Sequence, residues 1–234
     1  MVVVSILLWM LGATLFVIFG TVYFLLSMVF PPRRLHPFAK VICRLFLLGA
    51  GQRLRLESDF PDVEKGPYIY VFNHTSLLDT FILVSVLPEF TGAIGKKEQF
   101  SIPLWGWILR RWGVVPIDRK ALRAAIRSLQ VVEKSLQDGL SLLISPEGTR
   151  SLDGTLQSFK KGAFHVALHT QTPIVPICIL GAHASKNRSS WRLRPGTIRL
   201  KVARTVAPSQ LDSCTVESLR AETHAVFCET LSTK

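Results

Sequence analysis

The first 32 residues of the chain carry no charged side chain. Within residues 2–30 an otherwise apolar run is interrupted only by small residues, which are Ser5, Gly12, Thr14, Gly20, Thr21 and Ser27. A helix of this length would reach roughly 40 Å, which exceeds the ~30 Å hydrocarbon core of a bilayer. The sequence therefore predicts a membrane-anchoring apolar helix over residues 2–30.

A cleaved signal peptide is the alternative interpretation of this run. No Lys or Arg precedes the run, and it is longer than the usual apolar region of a signal peptide, so the anchor is favoured. Pro31 and Pro32 end the helix, and Arg33 and Arg34 follow where lipid head groups would lie. Because the cations follow the apolar run, the rest of the chain is expected on the cytoplasmic face of the inner membrane.

A second apolar stretch, residues 37–54, is interspersed with cations such as Lys40, Arg44 and Arg53. This pattern predicts an amphipathic helix in the membrane interface, or the second arm of a hairpin that dips into one leaflet. A buried first helix of the following domain fits equally well. We therefore expect membrane-anchoring helices in residues 1–55 and a catalytic domain in residues 56–234.

Past residue 56 the pattern becomes that of an α/β domain. Short apolar runs predict strands at residues 68–72, 90–94, 114–117, 140–144, 174–179 and 197–202. Amphipathic spacing predicts helices at residues 120–137, 159–169 and 216–231. The alternation indicates a mostly parallel sheet flanked by helices on both faces.

Composition narrows the possible partners. The chain has 28 Lys and Arg against 16 Asp and Glu, a net charge of +12, and 48% apolar residues, which excludes a disordered chain. Its four cysteines, Cys43, Cys178, Cys214 and Cys228, have no metal-site spacing, and we expect no metal ion. A strongly basic stretch at residues 183–204 is compatible with nucleic acid, but an anchored chain meets anionic lipid first, so membrane lipids are the expected partner and nucleic acid is not.

Two loops that follow predicted strands carry chemistry. After the first strand, His74 is followed five residues later by Asp79, a spacing that allows a histidine base oriented by a carboxylate. Ser76 and Asp79 also fit a helix-capping box, which is a purely structural interpretation. After the strand at residues 140–144, the sequence Pro146-Glu147-Gly148-Thr149-Arg150 places an arginine fork beside a glycine, which suits a phosphate.

Together these two loops resemble the motifs of the glycerolipid acyltransferase family typified by bacterial 1-acylglycerol-3-phosphate acyltransferases. That family carries NHxSxxD and, later, PEGTR, usually after a phenylalanine, where this chain has Ser145. Weaker blocks follow in the family's order. They are Gly95-Lys96-Lys97-Glu98-Gln99, where alanine and leucine are usual at the first and last positions, then Ile117-Asp118-Arg119, and Val175-Pro176-Ile177.

The resemblance implies a role for each matching residue. His74 would act as the general base and Asp79 would orient it. Glu147, Gly148, Thr149 and Arg150 would bind the acceptor's glycerol phosphate, and Lys96 and Arg119 would add positive charge around it.

The resemblance also implies the reaction. An acyl chain would pass from acyl-CoA or an acyl-carrier protein to lysophosphatidic acid, forming phosphatidic acid without a cofactor. The departures at Gly95, Gln99 and Ser145 leave another lysophospholipid or a hydroxylated aminolipid open as acceptor. A non-catalytic lipid-binding protein is the alternative from another class.

Overall fold

A computed structural model of the chain describes residues 2–118, 122–211 and 213–232, with the side chains of residues 122–125 excepted. Its centre is one seven-stranded sheet. The strands are β1 (Gln52–Leu56), β2 (Ile69–Phe72), β3 (Gly92–Lys96), β4 (Val114–Ile117), β5 (Leu142–Ile144), β6 (Ile174–Leu180) and β7 (Gly196–Val202). Their order is β1-β7-β6-β2-β5-β3-β4, and every pair is parallel except β6 with β7. The predicted mostly parallel sheet is confirmed.

Helices cover both faces of this sheet. They are α1 (Val2–Val29), α2 (Pro32–Gly49), α3 (Asp79–Val86), α4 (Trp105–Trp112), α5 (Leu122–Gln137), α6 (Gly162–Thr170), α7 (Ala182–Ser185) and α8 (Val216–Ser232). All four residues of the central strand β2 are buried, and they alternate between two cores. Ile69 and Val71 join the core of α5, α6 and α8, whereas Tyr70 and Phe72 join the core of α2 and α3.

The second helix lies five residues earlier than the expected 37–54. Helix α2 starts at Pro32, because proline is pre-organised for the first turn of a helix, and it ends at Gly49. Gly51 then adopts φ +76°, and the chain enters β1, which pairs in parallel with β7. The alternation of Arg and Leu in residues 53–56 is the strand signal that the helix prediction overlooked. The expected domain boundary after residue 55 falls inside this strand, and the two-unit division stays a prediction.

Helix α1 is the one helix in the described residues that is long and apolar enough to cross a membrane. It nevertheless contacts the rest of the protein at both ends. Near its start the Ser5 hydroxyl donates to the Leu193 carbonyl at 2.8 Å, and near its end the Arg111 guanidinium donates to the Ser27 carbonyl at 3.0 Å. Those two contacts lie roughly 33 Å apart along the helix, so α1 lies along the α/β domain.

Between its ends α1 packs closely on α2 through two glycines. A methyl group on Gly49 would lie 3.3 Å from the Cα of Gly12 and 2.7 Å from a methyl of Leu15. The contact therefore depends on the missing side chain, since backbone atoms cannot move aside as a flexible side chain can. Gly20, also in α1, has no atom within 4 Å of the same position.

We predict that Gly49→Ala lowers the free energy of unfolding by about 1–3 kcal/mol, because the added methyl forces the two helices apart. Gly20→Ala is the matched control and should be neutral or stabilising by up to about 1 kcal/mol, because alanine is the better helix former. Unfolding of both variants in detergent micelles, followed by circular dichroism, measures the difference. Equal stability of the two variants would contradict the close packing.

Candidate active site

The loop after β2 begins with an asparagine that extends the strand pairing. The Asn73 amide donates to the Ile179 carbonyl at 3.0 Å and accepts from the Ile179 N–H at 2.7 Å. Its side chain thus acts as one more peptide unit facing β6. This fixes the point at which the chain leaves the sheet, directly before His74.

His74 and Asp79 form the expected pair. The His74 Nδ1 lies 2.8 Å from the Asp79 Oδ2, and Asp79 is fully buried while the imidazole is partly exposed. Because an ionised carboxylate only accepts hydrogen bonds, Nδ1 carries the proton and Nε2 keeps its lone pair. The pair therefore presents a base that a hydroxyl group can approach.

The same carboxylate also holds the backbone of the loop. Asp79 Oδ2 accepts the N–H groups of Thr75 and Ser76, each at 2.8 Å, and Asp79 is the first residue of α3. The Ser76 hydroxyl accepts the Leu78 N–H at 3.2 Å rather than that of Asp79, so only half of a capping box forms. The structural and functional interpretations of Asp79 are compatible, because one oxygen serves both.

The loop after β5 forms hydrogen bonds with the main chain of His74. The Glu147 Oε1 accepts the His74 N–H at 2.8 Å, and the Ser151 N–H donates to the His74 carbonyl at 2.8 Å. The other oxygen of Glu147 accepts the Gln157 N–H at 3.2 Å. Both Glu147 oxygens thus face backbone donors in a buried place, and this geometry gives Glu147 a positioning role.

Burial dominates the titration of Glu147. It raises the pKa of this carboxyl to about 7, although the two backbone hydrogen bonds act in the opposite direction. The nearby Asp79 charge raises the pKa slightly further. The Glu147 carboxyl group, which links the two loops, therefore changes its charge near neutral pH.

The other expected binding residues lie at the same edge of the sheet, with one outside the described residues. Gly148 adopts φ +73° at the loop tip, with exposed Thr149 and half-buried Arg150 beside it. Lys96 ends β3, which pairs with β5, and its ammonium lies 3.5 Å from Glu98 on the surface. Arg119 lies outside the described residues.

Sequence reasoning missed an apolar groove whose lining includes the two residues after Asp79 but neither His74 nor Asp79 itself. Its cavity volume is about 140 Å³, and Thr80 and Phe81, which directly follow Asp79, form part of its wall. Helices α1 and α2 supply another part of the wall, with Phe16, Gly20, Tyr23, Ala39, Ile42 and Cys43, and α4 supplies Trp105, Ile108, Leu109 and Trp112. The helical spacing of residues 16, 20 and 23 was the available signal, but such spacing equally describes a packed core.

The protein thus combines a histidine held by a buried carboxylate, an arginine-bearing loop and an apolar groove. The chain belongs to the acyltransferase family, whose family model matches residues 53–180.

Relatives and a solved structure agree with that assignment. The chain is 37% identical over 164 residues to a 1-acyl-sn-glycerol-3-phosphate acyltransferase of Cocos nucifera, covering 70% of this chain and 53% of the relative. It is 34% identical over 157 residues to the beta form of the Homo sapiens enzyme, covering 67% and 56%. This chain therefore spans about half the length of the curated relatives it matches. The crystal structure of the LPA acyltransferase PlsC from Thermotoga maritima matches with a TM-score of 0.82 at 25% identity, covering 100% of this chain and 96% of that one.

We predict that Glu147→Gln lowers kcat by about tenfold or more, because the amide offers one acceptor oxygen where two backbone donors need partners. Free energy of unfolding should fall by about 1–3 kcal/mol. Glu217→Gln, which changes an exposed carboxylate on α8, is the control and should change neither quantity. Unaltered turnover of Glu147→Gln, measured beside urea unfolding, would remove the positioning role.

The raised pKa of Glu147 also predicts a pH dependence. Between about pH 4.5 and pH 7 the folded protein keeps a proton that the unfolded chain has released, so this group's contribution to stability is full below pH 4.5 and is lost as the pH rises through 7. The stability of the wild type relative to Glu147→Gln should thus fall by on the order of 1–3 kcal/mol across that window. Urea unfolding at a series of pH values tests it, and a constant difference would show an unshifted carboxyl.

Proposed function

We propose that this protein transfers an acyl chain from an acyl thioester to the free hydroxyl of lysophosphatidic acid and forms phosphatidic acid. The observation that carries the proposal is the 2.8 Å His74–Asp79 pair beside an apolar groove and an arginine-bearing loop. The names of the relatives and of the solved structure agree with this reaction. Acyl-CoA or an acyl-carrier protein supplies the chain, and the chemistry needs no cofactor.

In this mechanism Nε2 of His74 removes the proton from the acceptor hydroxyl as its oxygen attacks the thioester carbonyl. The C–O ester bond forms, the C–S bond breaks, and the proton passes from the imidazolium to the departing thiolate. Asp79 stabilises the imidazolium while it exists. No acyl-enzyme intermediate is required, because the acceptor oxygen attacks directly.

The substrate's two ends go to opposite sides of His74. Arg150 holds the phosphate as a planar fork, with Gly148 and Thr149 allowing close approach, and Lys96 and Arg119 add positive charge. The acceptor's own acyl chain lies in the apolar groove, where the first turn of α3 and the wall from α1 and α2 exclude water.

A second candidate acceptor follows from the floor of the phosphate loop. The family's usual phenylalanine is Ser145 here, and a cavity of about 110 Å³ lies at that place, lined by Ile94, Ile117, Leu129 and Lys160 among others. Because serine fills less of this space than phenylalanine, the phosphate loop is less well supported here than in the family. The alternative acceptor is therefore a lipid with a different head group from lysophosphatidic acid, either another lysophospholipid or a hydroxylated aminolipid. The departure at Gly95 does not support a different acceptor, because packing explains it: a methyl group there would lie 2.8 Å from Val114 Cγ1.

We further propose that the protein acts at the inner membrane with its catalytic domain on the cytoplasmic face. Because α1 contacts the α/β domain at both ends, we place it in one leaflet along the membrane surface. Most of its large side chains are exposed and apolar, including Leu7, Met10, Val17 and Leu25. A groove wall shared with this helix lets acceptor enter from the lipid.

A panel of acceptors and both donor types, supplied to the full-length protein in detergent micelles, tests the function. Transfer to lysophosphatidic acid should exceed transfer to other lysolipids. Preference for an aminolipid would establish the second candidate, and no transfer to any acceptor would refute an enzymatic role.

We predict that His74→Ala lowers kcat by roughly 100- to 10,000-fold, because general-base assistance is lost. Asp79→Asn should also be severe, since a neutral amide does not stabilise the imidazolium. His165→Ala, at an exposed position of α6, is the matched control and should retain activity. Near wild-type turnover of a folded His74→Ala protein would exclude the mechanism.

For Arg150→Lys we predict a higher KM for lysophosphatidic acid, by about tenfold or more, because a point charge does not replace a planar fork. The KM for the acyl donor should change little, and so should the use of monoacylglycerol, which lacks the phosphate. Arg127→Lys on α5 is the control. A defect confined to the donor would move Arg150 to the CoA side of the site.

A further inference from the structure

A basic and aromatic loop, residues 186–195, joins α7 to β7 on the same side of the sheet as α1. Its exposed residues include Arg188, Trp191, Arg192 and Arg194, and Trp191 is 52% exposed. In the part of the chain that the structure describes, none of these three guanidinium groups forms an ion pair. The proposed reaction uses none of them.

The 186–195 loop is firmly held, so the exposure of these side chains is built in. Lys186 turns inward, and its ammonium donates to the carbonyls of Asn187 at 2.8 Å and Ser190 at 2.6 Å. Leu193 is buried in the core beneath the loop, and the Gln52 amide donates to the Arg194 carbonyl at 2.9 Å. The buried Lys186 and Leu193 therefore hold the loop in a conformation that exposes Trp191 and the three arginines.

The 186–195 loop is continuous with the exposed apolar face of α1. The Trp9 indole N–H donates to the Trp191 carbonyl at 2.7 Å, and Ser5 donates to the carbonyl of Leu193. The first turns of α1 beside this contact expose apolar side chains, among them Val3, Ile6, Leu7 and Met10. An apolar surface thus passes directly into a tryptophan and then into arginines.

Charge along the sequence of the loop and its flanks has one sign, although Arg199 pairs with Glu57 and Arg204 with Glu222 in space. Residues 183–204 contain seven cations and no acid, the cations being Lys186, Arg188, Arg192, Arg194, Arg199, Lys201 and Arg204. Tryptophan favours the level of lipid head groups, and arginine binds phosphate oxygens strongly. The order of apolar helix, tryptophan and arginines matches the order of acyl chain, glycerol level and phosphate in a leaflet.

We propose that the 186–195 loop is a second membrane contact, in which Trp191 inserts at the head-group level and Arg188, Arg192 and Arg194 bind anionic phospholipids. The inference rests on the membrane placement within the proposed function and names the lipid class it meets. An acidic carrier protein would also be attracted to the arginines. Continuity with the apolar face of α1 favours the lipid, because a carrier protein gains nothing from that face.

Depth of insertion tests the tryptophan. Full-length wild type and Trp191→Phe are reconstituted in phosphatidylcholine–phosphatidylglycerol vesicles that contain lipids brominated on the upper part of the acyl chain. Tryptophan fluorescence quenched in the wild type but absent from Trp191→Phe belongs to Trp191. We expect a clear quenched component, and a difference signal that bromine does not quench would overturn the proposal.

Charge substitution tests the arginines. Arg192→Gln/Arg194→Gln is compared with Arg127→Gln/Lys134→Gln, whose side chains are exposed on α5, across the sheet. Partition from micelles into vesicles is measured with and without phosphatidylglycerol. The first pair should lose roughly 30-fold in partition into anionic vesicles, at about a fivefold loss per cation, and little into neutral ones. The control pair should change little.

Three outcomes would contradict the proposal. Equal losses by both pairs would mean a general charge effect. Unchanged vesicle partition with activity lost only on acyl-carrier protein would assign the surface to the carrier. Wild type that does not partition into vesicles would remove the membrane contact itself. The quenching and partition readouts do not depend on turnover with lysophosphatidic acid, so failure of the proposed reaction would leave the vesicle result standing.

Discussion

The parallel pairing of β2 with both of its neighbours is the constraint on which the site depends. Ile69 lies opposite Leu142 of β5 and Ile174 of β6, so the three strands end at one edge of the sheet. Because parallel strands place their following loops side by side, the histidine loop and the arginine loop are adjacent in space although they are far apart in sequence. The main chain of His74 is then bound from both sides by the second loop. A shift of β5 by one residue would break those bonds, and a shift of β6 would break the two hydrogen bonds between Asn73 and Ile179.

Asp79 shows how a buried charge can be stabilised and still serve a reaction. One oxygen, Oδ2, accepts the imidazole and two backbone N–H groups, whereas Oδ1 is buried and takes no hydrogen bond within the described residues. A buried carboxylate with an unused oxygen is costly, so the arrangement favours extra positive charge nearby. The imidazolium that forms during proton transfer supplies that charge.

Much of this could be predicted from the sequence, because the evidence was local. Strand β4 was predicted with its observed limits and β2, β6 and β7 to within a residue, since apolar runs bounded by turns mark buried strands. The His74–Asp79 pair followed from a spacing within one loop. What could not be predicted depends on distant parts of the chain. Glu147 was expected to bind substrate, and only the fold shows both of its oxygens facing backbone donors. Strand β1 was missed because its alternating Arg and Leu residues were assigned to the end of the preceding helix.

Helix α1 joins the chemistry to the membrane because one helix does two jobs on two faces. Its inner residues, Phe16, Gly20 and Tyr23, line the groove, while its outer residues are apolar and exposed. Since α1 is tied to the α/β domain near Ser5 and near Ser27, the groove, the base and the lipid surface keep one fixed relation. In the proposed membrane placement an acyl chain would pass between lipid and groove without crossing water, which avoids a cost of about 0.8 kcal/mol for each exposed methylene group.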